Sequence, residues 1–201
     1  MASIGVRDGV AGLSQTSSSL ERIILRPAQV GPNYAVRVIP GGRRVQGQVT
    51  LDMCGFRFGS EQRRAERLQA VYVRRGSGLY LSNEVVRYRP GGAAAAMREI
   101  STAIRTCPRR PMPSKLRGVP PLTYRLSRLS PNSALLHDAI VMKVTESGTY
   151  KGRKVTQTSF VVYQRRDDVL TGIYVYGGTI NARYAMAMRA STASARNLAS
   201  G

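Results

Sequence analysis

The sequence contains two cysteines, and their spacing limits the chemistry that they can perform. Neither Cys54 nor Cys107 belongs to a C-x-x-C pair, which argues against a zinc site or a redox centre. They are therefore either one disulfide or two buried free thiols. A disulfide would indicate an oxidising compartment, because thiols stay reduced in the cytosol.

No combination of side chains in the sequence predicts catalysis. His137 is the only histidine, and it lies beside Asp138 and near Ser133 in a segment typical of a loop. A nucleophile and a base must meet in space, and nearness along the chain does not show that. Asp167 and Asp168 are typical of a turn and form at most a weak calcium site. We therefore expect a protein that is not an enzyme, with no catalytic residue, no metal site and no cofactor.

Four glutamates lie among arginines, and we expect them to form ion pairs; they are Glu61, Glu66, Glu84 and Glu99. We mark Glu84 as a possible cleft residue together with Arg87 and Tyr88, because a carboxylate between polar neighbours on a strand either pairs internally or faces a cleft. Tyrosines at alternate strand positions have the same two interpretations, packing or the wall of a ligand cleft. The alternating tyrosines are Tyr72, Tyr80, Tyr88, Tyr174 and Tyr176.

The chain carries 31 basic and 11 acidic residues, a net charge of +20. Such a balance suggests an anionic partner, such as an envelope polymer, lipid head groups or nucleic acid; a GC-rich genome, which favours arginine codons, is the alternative. The strongest local signal is a run of basic residues uninterrupted by an acidic one. These possible contacts to an anionic partner are Arg105, Arg109, Arg110, Lys115, Arg117, Arg125 and Arg128.

Arginine and tyrosine also alternate in residues 86–89 and 163–166, as in proteins that stack bases and bind phosphates. No helix-turn-helix, zinc-finger or RNP pattern accompanies them. Gly91 and Gly92 precede a helix whose free N–H groups could hold an anion, but no Lys-Ser or Lys-Thr pair follows as a nucleotide loop would need. Nucleic-acid binding is thus the alternative function.

Segment 79–108 predicts the elements that position these residues. Residues 79–88 are rich in β-branched and aromatic side chains and predict a strand. Residues 89–92, Arg-Pro-Gly-Gly, predict a turn, and four alanines then begin a helix at about 92–107. Met97, Ile100, Ile104 and Cys107 recur at helical spacing and form its apolar face.

The remaining pattern predicts an α+β fold. We expect strands at 34–39, 68–74 and 79–88, and later at 122–129, 138–146, 155–164 and 169–176, with only a weak strand pattern at 45–53. Turns are expected at 147–149 and 165–168, and a proline-rich connector at 108–121. Short turns between strands imply an antiparallel sheet of six to seven strands, with two main helices at about 92–107 and 181–198 laid on it. In the second helix Tyr184, Met188 and Ala195 share a face.

We divide the chain into residues 1–19, a small polar segment predicted to be a disordered leader or tether, and a single domain at 20–201. No apolar run is long enough to span a bilayer. Residues 1–19 lack the basic and apolar regions of a signal peptide. The chain is therefore cytoplasmic, or its leader has been removed or lies upstream.

Three blocks carry a family resemblance: VTLDMCGFRFGSEQRRAERLQAVY, LSNEVVRYRPGGAAAAMREISTAIRTCP and VVYQRRDDVLTGIYVYGG. They resemble a group of actinobacterial cell-envelope proteins, many of them lipoproteins described as sensor domain-containing. More distantly they resemble the PknH-like extracellular sensor domain of mycobacterial receptor kinases. Such kinase sensor domains usually carry two disulfides, whereas this chain has cysteines for one.

The resemblance implies a secreted or cell-surface α+β domain with a cleft for a small ligand, and a disulfide between Cys54 and Cys107. The sequence thus predicts a non-enzymatic extracytoplasmic ligand-binding or sensor-like domain of the bacterial cell envelope. Its expected partner is a small ligand or an anionic envelope component.

Overall fold

The computed structural model describes residues 19–76, 78–116 and 118–201. They form a seven-stranded antiparallel sheet in the order β1-β2-β3-β7-β6-β5-β4, with helices on both faces. The α+β class is confirmed. Residues 1–18 of the expected leader lie outside the described residues.

The strands are β1 (Ala35–Val38), β2 (Arg64–Val73), β3 (Leu79–Tyr88), β4 (Leu122–Leu129), β5 (Ile140–Tyr150), β6 (Arg153–Arg166) and β7 (Val169–Gly177). The helices are α1 (Ser19–Ile23), α2 (Pro27–Val30), α3 (Gly92–Thr106) and α4 (Ile180–Ser200), and a 3-10 helix at Gly59–Arg63 precedes β2. The two long helices lie where the sequence predicted them.

The first and second halves of the chain join at the middle of the sheet, where β3 pairs with β7. Ser82 stands opposite Tyr174 in this pair, and Glu84 stands opposite Gly172. Side chains alternate between the two faces along each strand. The polar positions of β3 are therefore brought next to the tyrosines of β7.

One face of the sheet is covered by α4, with α1 and α2 beside it. Apolar strand residues such as Tyr72, Leu81 and Ile173 are fully buried there against Met186 and Ala190. Of the three residues predicted to share a face of this helix, Ala195 is buried and Met188 packs partly buried against this core, whereas Tyr184 is 40% exposed. The alanines and serines of α4 pack closely because their side chains are small, and they give the helix only a weak apolar stripe.

The opposite face is covered by α3 over only part of its area. Met97 and Ile100 of α3 are buried against Tyr88 and Met142 of the sheet. The rest of this face lies beneath two irregular segments, residues 39–58 and the connector at 108–121. A fifteen-residue helix spans only about 22 Å, so these segments must cover what α3 does not reach.

Cys54 and Cys107 form a disulfide with a Cα–Cα distance of 5.1 Å, which confirms the predicted pairing. Cys107 follows the last residue of α3 and begins the connector. Cys54 lies in a turn closed by a hydrogen bond from Phe56 N to Met53 O at 3.0 Å. The bridge thus joins the two irregular segments that cover the sheet beside α3.

Two local predictions are wrong. Residues 147–149 are not a turn: β5 continues to Tyr150, and the hairpin turns at Lys151 and Gly152. Residues 45–53 are not a strand. The backbone N–H groups of Thr50 and Leu51 donate to the Glu61 carboxylate at 3.1 and 3.2 Å, so a side chain replaces the strand partner.

Loss of the disulfide is expected to lower stability substantially. The bridge closes a loop of 53 residues, and the chain-entropy model assigns such a loop about 4 kcal/mol. The double variant Cys54→Ala/Cys107→Ala should lose about this much free energy of unfolding, measured by urea denaturation. Wild-type protein unfolded in a reducing buffer should behave like the variant; equal midpoints for the variant and the oxidised wild type would contradict the prediction.

Candidate functional site

A cavity of about 660 Å³ lies on the α3 face of the sheet, where the helix does not reach. Its floor is formed by β2, β3, β7, β6 and β5, and its walls by residues 48–52, 114–116 and 119–122. The lining includes three carboxylates, one guanidinium and five tyrosines: Asp52, Glu84, Glu146, Arg67, Tyr124, Tyr150, Tyr163, Tyr174 and Tyr176. A volume of this size fits a small organic molecule.

The cavity floor is built on a buried ion pair between Glu84 of β3 and Arg67 of β2. Glu84 is 2% exposed and Arg67 4%. Burial raises the pKa of Glu84, and the charge of Arg67 opposes that rise. Arg67 also donates to Gln69 Oε1 and more weakly to the carbonyl of Gly41, so its charge is shared among several acceptors.

A polar network extends from this pair into the first cavity wall. Thr50 Oγ1 donates to Glu84 Oε1 at 2.8 Å and accepts from Arg64 Nη1 at 3.0 Å. Arg64 also pairs with Glu61 at 3.3 Å, and Glu61 holds the backbone of residues 50 and 51. The network fixes residues 48–52 above the sheet.

Asp52 and Glu146 face the cavity without a cation paired to either carboxylate among the described residues. Asp52 Oδ2 accepts from Ser114 Oγ at 2.6 Å and from Lys115 N at 2.9 Å, which joins the connector to residues 48–52. Burial raises the pKa of Glu146, and the nearby charge of Asp52 raises it further. The Asp52 carboxylate is therefore close enough to influence Glu146.

Tyrosines form the aromatic part of the lining. Tyr80 stacks on Tyr176 with ring centroids 4.9 Å apart, and Tyr163 meets Tyr174 edge to face at 5.8 Å. Burial raises the pKa of Tyr163, Tyr174 and Tyr176. Their hydroxyls therefore stay protonated and are available as neutral donors and acceptors.

Gly172 allows the Tyr174 ring to lie close to the sheet. A Cβ at residue 172 would lie 2.8 Å from the Tyr174 hydroxyl oxygen and 3.0 Å from its Cζ. Either contact is shorter than van der Waals distance, so any larger residue at this position must displace the ring. The position of Tyr174 in the cavity wall therefore depends on glycine at 172.

The structure separates the three residues suggested for a cleft. Glu84 lines the cavity. Arg87 is three residues from Glu84 along β3, so its side chain lies on the opposite face of the sheet. Its Nε atom lies 3.5 Å from Glu66 Oε1. Tyr88 shares the face of Glu84 but packs in the core beneath α3, and its hydroxyl has no hydrogen-bond partner in the described part of the chain.

The basic residues suggested for an anionic partner are distributed over several places. Arg105, Arg109 and Arg125 lie around the β4 edge of the sheet with Lys143, which the sequence pattern did not single out. Arg128 lies near Arg105 in a shallow depression beside α3. Arg110 is exposed, Lys115 Nζ donates to Phe56 O at 3.2 Å, and Arg117 lies outside the described residues.

Other sequence features have structural partners. Gly91 N donates to Asp168 Oδ1 at 2.7 Å, so a carboxylate of the chain already occupies the start of α3. Asp138, beside His137, pairs with Arg165 at 2.7 Å. Glu99 accepts from Gly59 N at 3.0 Å and from Ser60 N at 3.1 Å and so caps the first turn of the 3-10 helix.

Within the described ranges, no three His, Cys, Asp or Glu side chains are grouped as a metal site would require. No helix there combines the length and apolarity needed to cross a bilayer.

Arg67, Asp52 and Glu146 belong to the cavity, and sequence reasoning did not select them. They come from β2, an irregular segment and β5, which only the strand order brings together. The one available signal was alternation: Arg67 and Gln69, like Ser82 and Glu84, are polar at every second position of a strand. A polar stripe on a strand is also typical of a solvent-facing surface, so it did not distinguish a cavity.

No protein-family model matches the chain, and no curated protein matches it. Among solved structures, the chain is similar to the crystal structure of the extracellular domain of PknH from Mycobacterium tuberculosis. The sequence identity is 11% and the TM-score 0.49, with 87% of this chain and 93% of that chain covered. The similarity agrees with the distant resemblance seen in the sequence, and at this level it carries no argument about function.

Replacement of Glu146 by glutamine should stabilise the protein at neutral pH. Burial raises the pKa of Glu146 above 4.5 in the folded state. When the pH exceeds this raised pKa, ionisation of Glu146 lowers the free energy of unfolding, and glutamine avoids that loss. Urea unfolding should show Glu146→Gln more stable than wild type at pH 7, with the difference vanishing below about pH 4.5. Glu66→Gln, on the other face, is the control; a difference that does not change with pH would contradict the prediction.

Proposed function

We propose that this chain is a non-enzymatic, sensor-like ligand-binding domain that takes a small polar molecule into the cavity beside α3. The observation that carries the proposal is a cavity of about 660 Å³ with buried, hydrogen-bonded charges in its floor. Burying a charge pair costs free energy that an apolar pair would not. Polar side chains maintained in such a place are suited to recognising a polar ligand.

The lining is better suited to holding a molecule than to transforming one. Glu84 is neutralised by Arg67, and Ser82 Oγ accepts from Gln69 Nε2 at 2.9 Å, so neither side chain is placed as a base or an activated nucleophile. The described lining contains neither histidine nor cysteine. These features support binding as the function.

The disulfide supports a location outside the cytoplasm. It joins the segments that carry both cavity walls, since Cys54 follows Asp52 and Cys107 begins the connector that carries Ser114. A reducing compartment would open this bridge. We propose a secreted or cell-surface domain of the bacterial envelope, where the walls stay joined.

Binding in the cavity can be tested with a fragment library containing cationic, anionic and neutral members. In amide correlation spectra of isotope-labelled protein, the shifts caused by bound fragments should cluster at cavity residues such as Ser82, Gln157 and Tyr176. Gly172→Ala should weaken those fragments because it displaces Tyr174. Gly76→Ala strains a hairpin turn where φ is +75°, but the added Cβ meets open space away from the cavity, so it should not weaken them. Shifts scattered over the surface would contradict the proposal.

A second candidate function is contact with an anionic surface or polymer at the β4 edge. Arg105, Arg109, Arg125 and Lys143 surround this edge, and no carboxylate is among the residues lining it. Anionic lipid or wall polymer is the partner that this placement favours, and nucleic acid is the alternative.

The second candidate predicts binding to phosphatidylglycerol vesicles that weakens with salt. Arg109→Gln/Arg125→Gln should lower the affinity roughly 30-fold, because each basic residue near an anionic surface contributes about 1 kcal/mol. Arg22→Gln/Arg196→Gln removes the same charge from exposed positions elsewhere and should have a smaller effect. Equal losses in both variants would contradict a specific edge, and retention on a single-stranded oligonucleotide instead would favour nucleic acid.

A further inference from the structure

The cavity has the opposite charge balance from the chain that forms it. The protein carries 31 basic and 11 acidic residues, yet the described lining contains three carboxylates and one guanidinium. Arg67 is committed to Glu84 by a direct contact. Asp52 and Glu146 therefore leave the cavity with an excess of two negative charges when both are ionised.

Nothing on the neighbouring strands neutralises Glu146. Its register neighbours are Tyr124 on β4 and Gln157 on β6, neither of which carries a charge. Lys115 donates its backbone N–H to Asp52, but its ammonium contacts the Phe56 carbonyl and the Phe58 ring. Both carboxylates thus line one cavity without an ion-pair partner among the described residues, although the protein is rich in arginine.

The rest of the lining is uncharged and includes tyrosine rings, which attract cations. Tyr124 and Tyr176 line the cavity together with Glu146, whereas the Tyr150 ring already faces the Lys151 ammonium at 5.6 Å. An aromatic face attracts an ammonium or quaternary nitrogen. Protonated tyrosine hydroxyls add acceptors of hydrogen bonds. Leu116, Val119 and Pro120 contribute apolar side chains that can cover the body of an organic molecule.

We propose that the cavity binds an organic cation, a primary to quaternary amine, whose nitrogen lies between Asp52 and Glu146 and against the tyrosine faces. This inference rests on the proposed function and specifies its ligand class. A divalent metal ion fits less well, because two carboxylates surrounded by tyrosine rings do not supply the six or more oxygen ligands of a calcium site. An anionic ligand would be repelled by the same two carboxylates.

Matched pairs of probes separate charge from shape. Choline and 3,3-dimethylbutanol have nearly the same shape, and so do tyramine and tyrosol, but only the first of each pair is a cation. Titrations of the full chain at pH 7 followed by amide spectra should show the cations shifting resonances of the cavity. The neutral partners should bind at least tenfold more weakly, which corresponds to about 1.4 kcal/mol.

Two carboxylate variants make the test specific. Glu146→Gln should weaken choline and tyramine about tenfold while leaving the neutral probes unchanged, since it removes only the charge. Glu66→Gln removes a carboxylate from the opposite face and should leave all four affinities unchanged. A well-dispersed spectrum of each variant shows that it folds.

Three results would overturn the inference: equal affinity for the charged and neutral probes, no loss in Glu146→Gln, or an equal loss in Glu66→Gln. If anionic or neutral fragments bind in the cavity and cations do not, the cavity is still a binding site and only the ligand class is wrong. If no fragment of any charge binds there, both the inference and the proposed function fail.

Discussion

The buried carboxylate of Glu84 determines how the α3 face of this protein is built. Glu84 lies on β3, one of the two strands at the junction of the halves, where water does not solvate it. A lone charge there would be very costly. Arg67 supplies the opposite charge and Thr50 a hydrogen bond, and because Thr50 belongs to an irregular segment, satisfying Glu84 also holds that segment over the sheet.

The cavity follows from this arrangement together with the short reach of α3. The helix covers one part of the face, and the Glu84 network holds residues 48–52 above another. Asp52 then ties the connector to the same segment through Ser114. Several polar groups around the remaining space already have hydrogen-bond partners. The cavity can therefore stay open without leaving these groups unsatisfied.

The sequence contained enough to predict the sheet, its long helices and the cysteine pair. The strand predicted at 122–129 coincides with β4, and the alanines and Pro108 bounded α3. It did not contain the cavity, because the hairpin that carries Arg67 and Glu84 meets the strand of Glu146 only through a strand order that joins distant parts of the chain. Gly148 misled for a related reason: it lies inside β5 and makes room for Leu122 of the adjacent strand.

The open ends of the sheet have consequences for how copies of this protein meet. The outer side of β4 is paired with Met112 at its first residue, Leu122, and beyond that residue it has no strand partner among the described residues, which invites another strand to add there. Arg125 and Arg128 project from that strand, so two copies joining through it would bring guanidinium groups face to face. At the other end β1 has only four residues, with Val36 and Val38 exposed. Growth of the sheet into a polymer is thus opposed by like charge at one end and limited by strand length at the other.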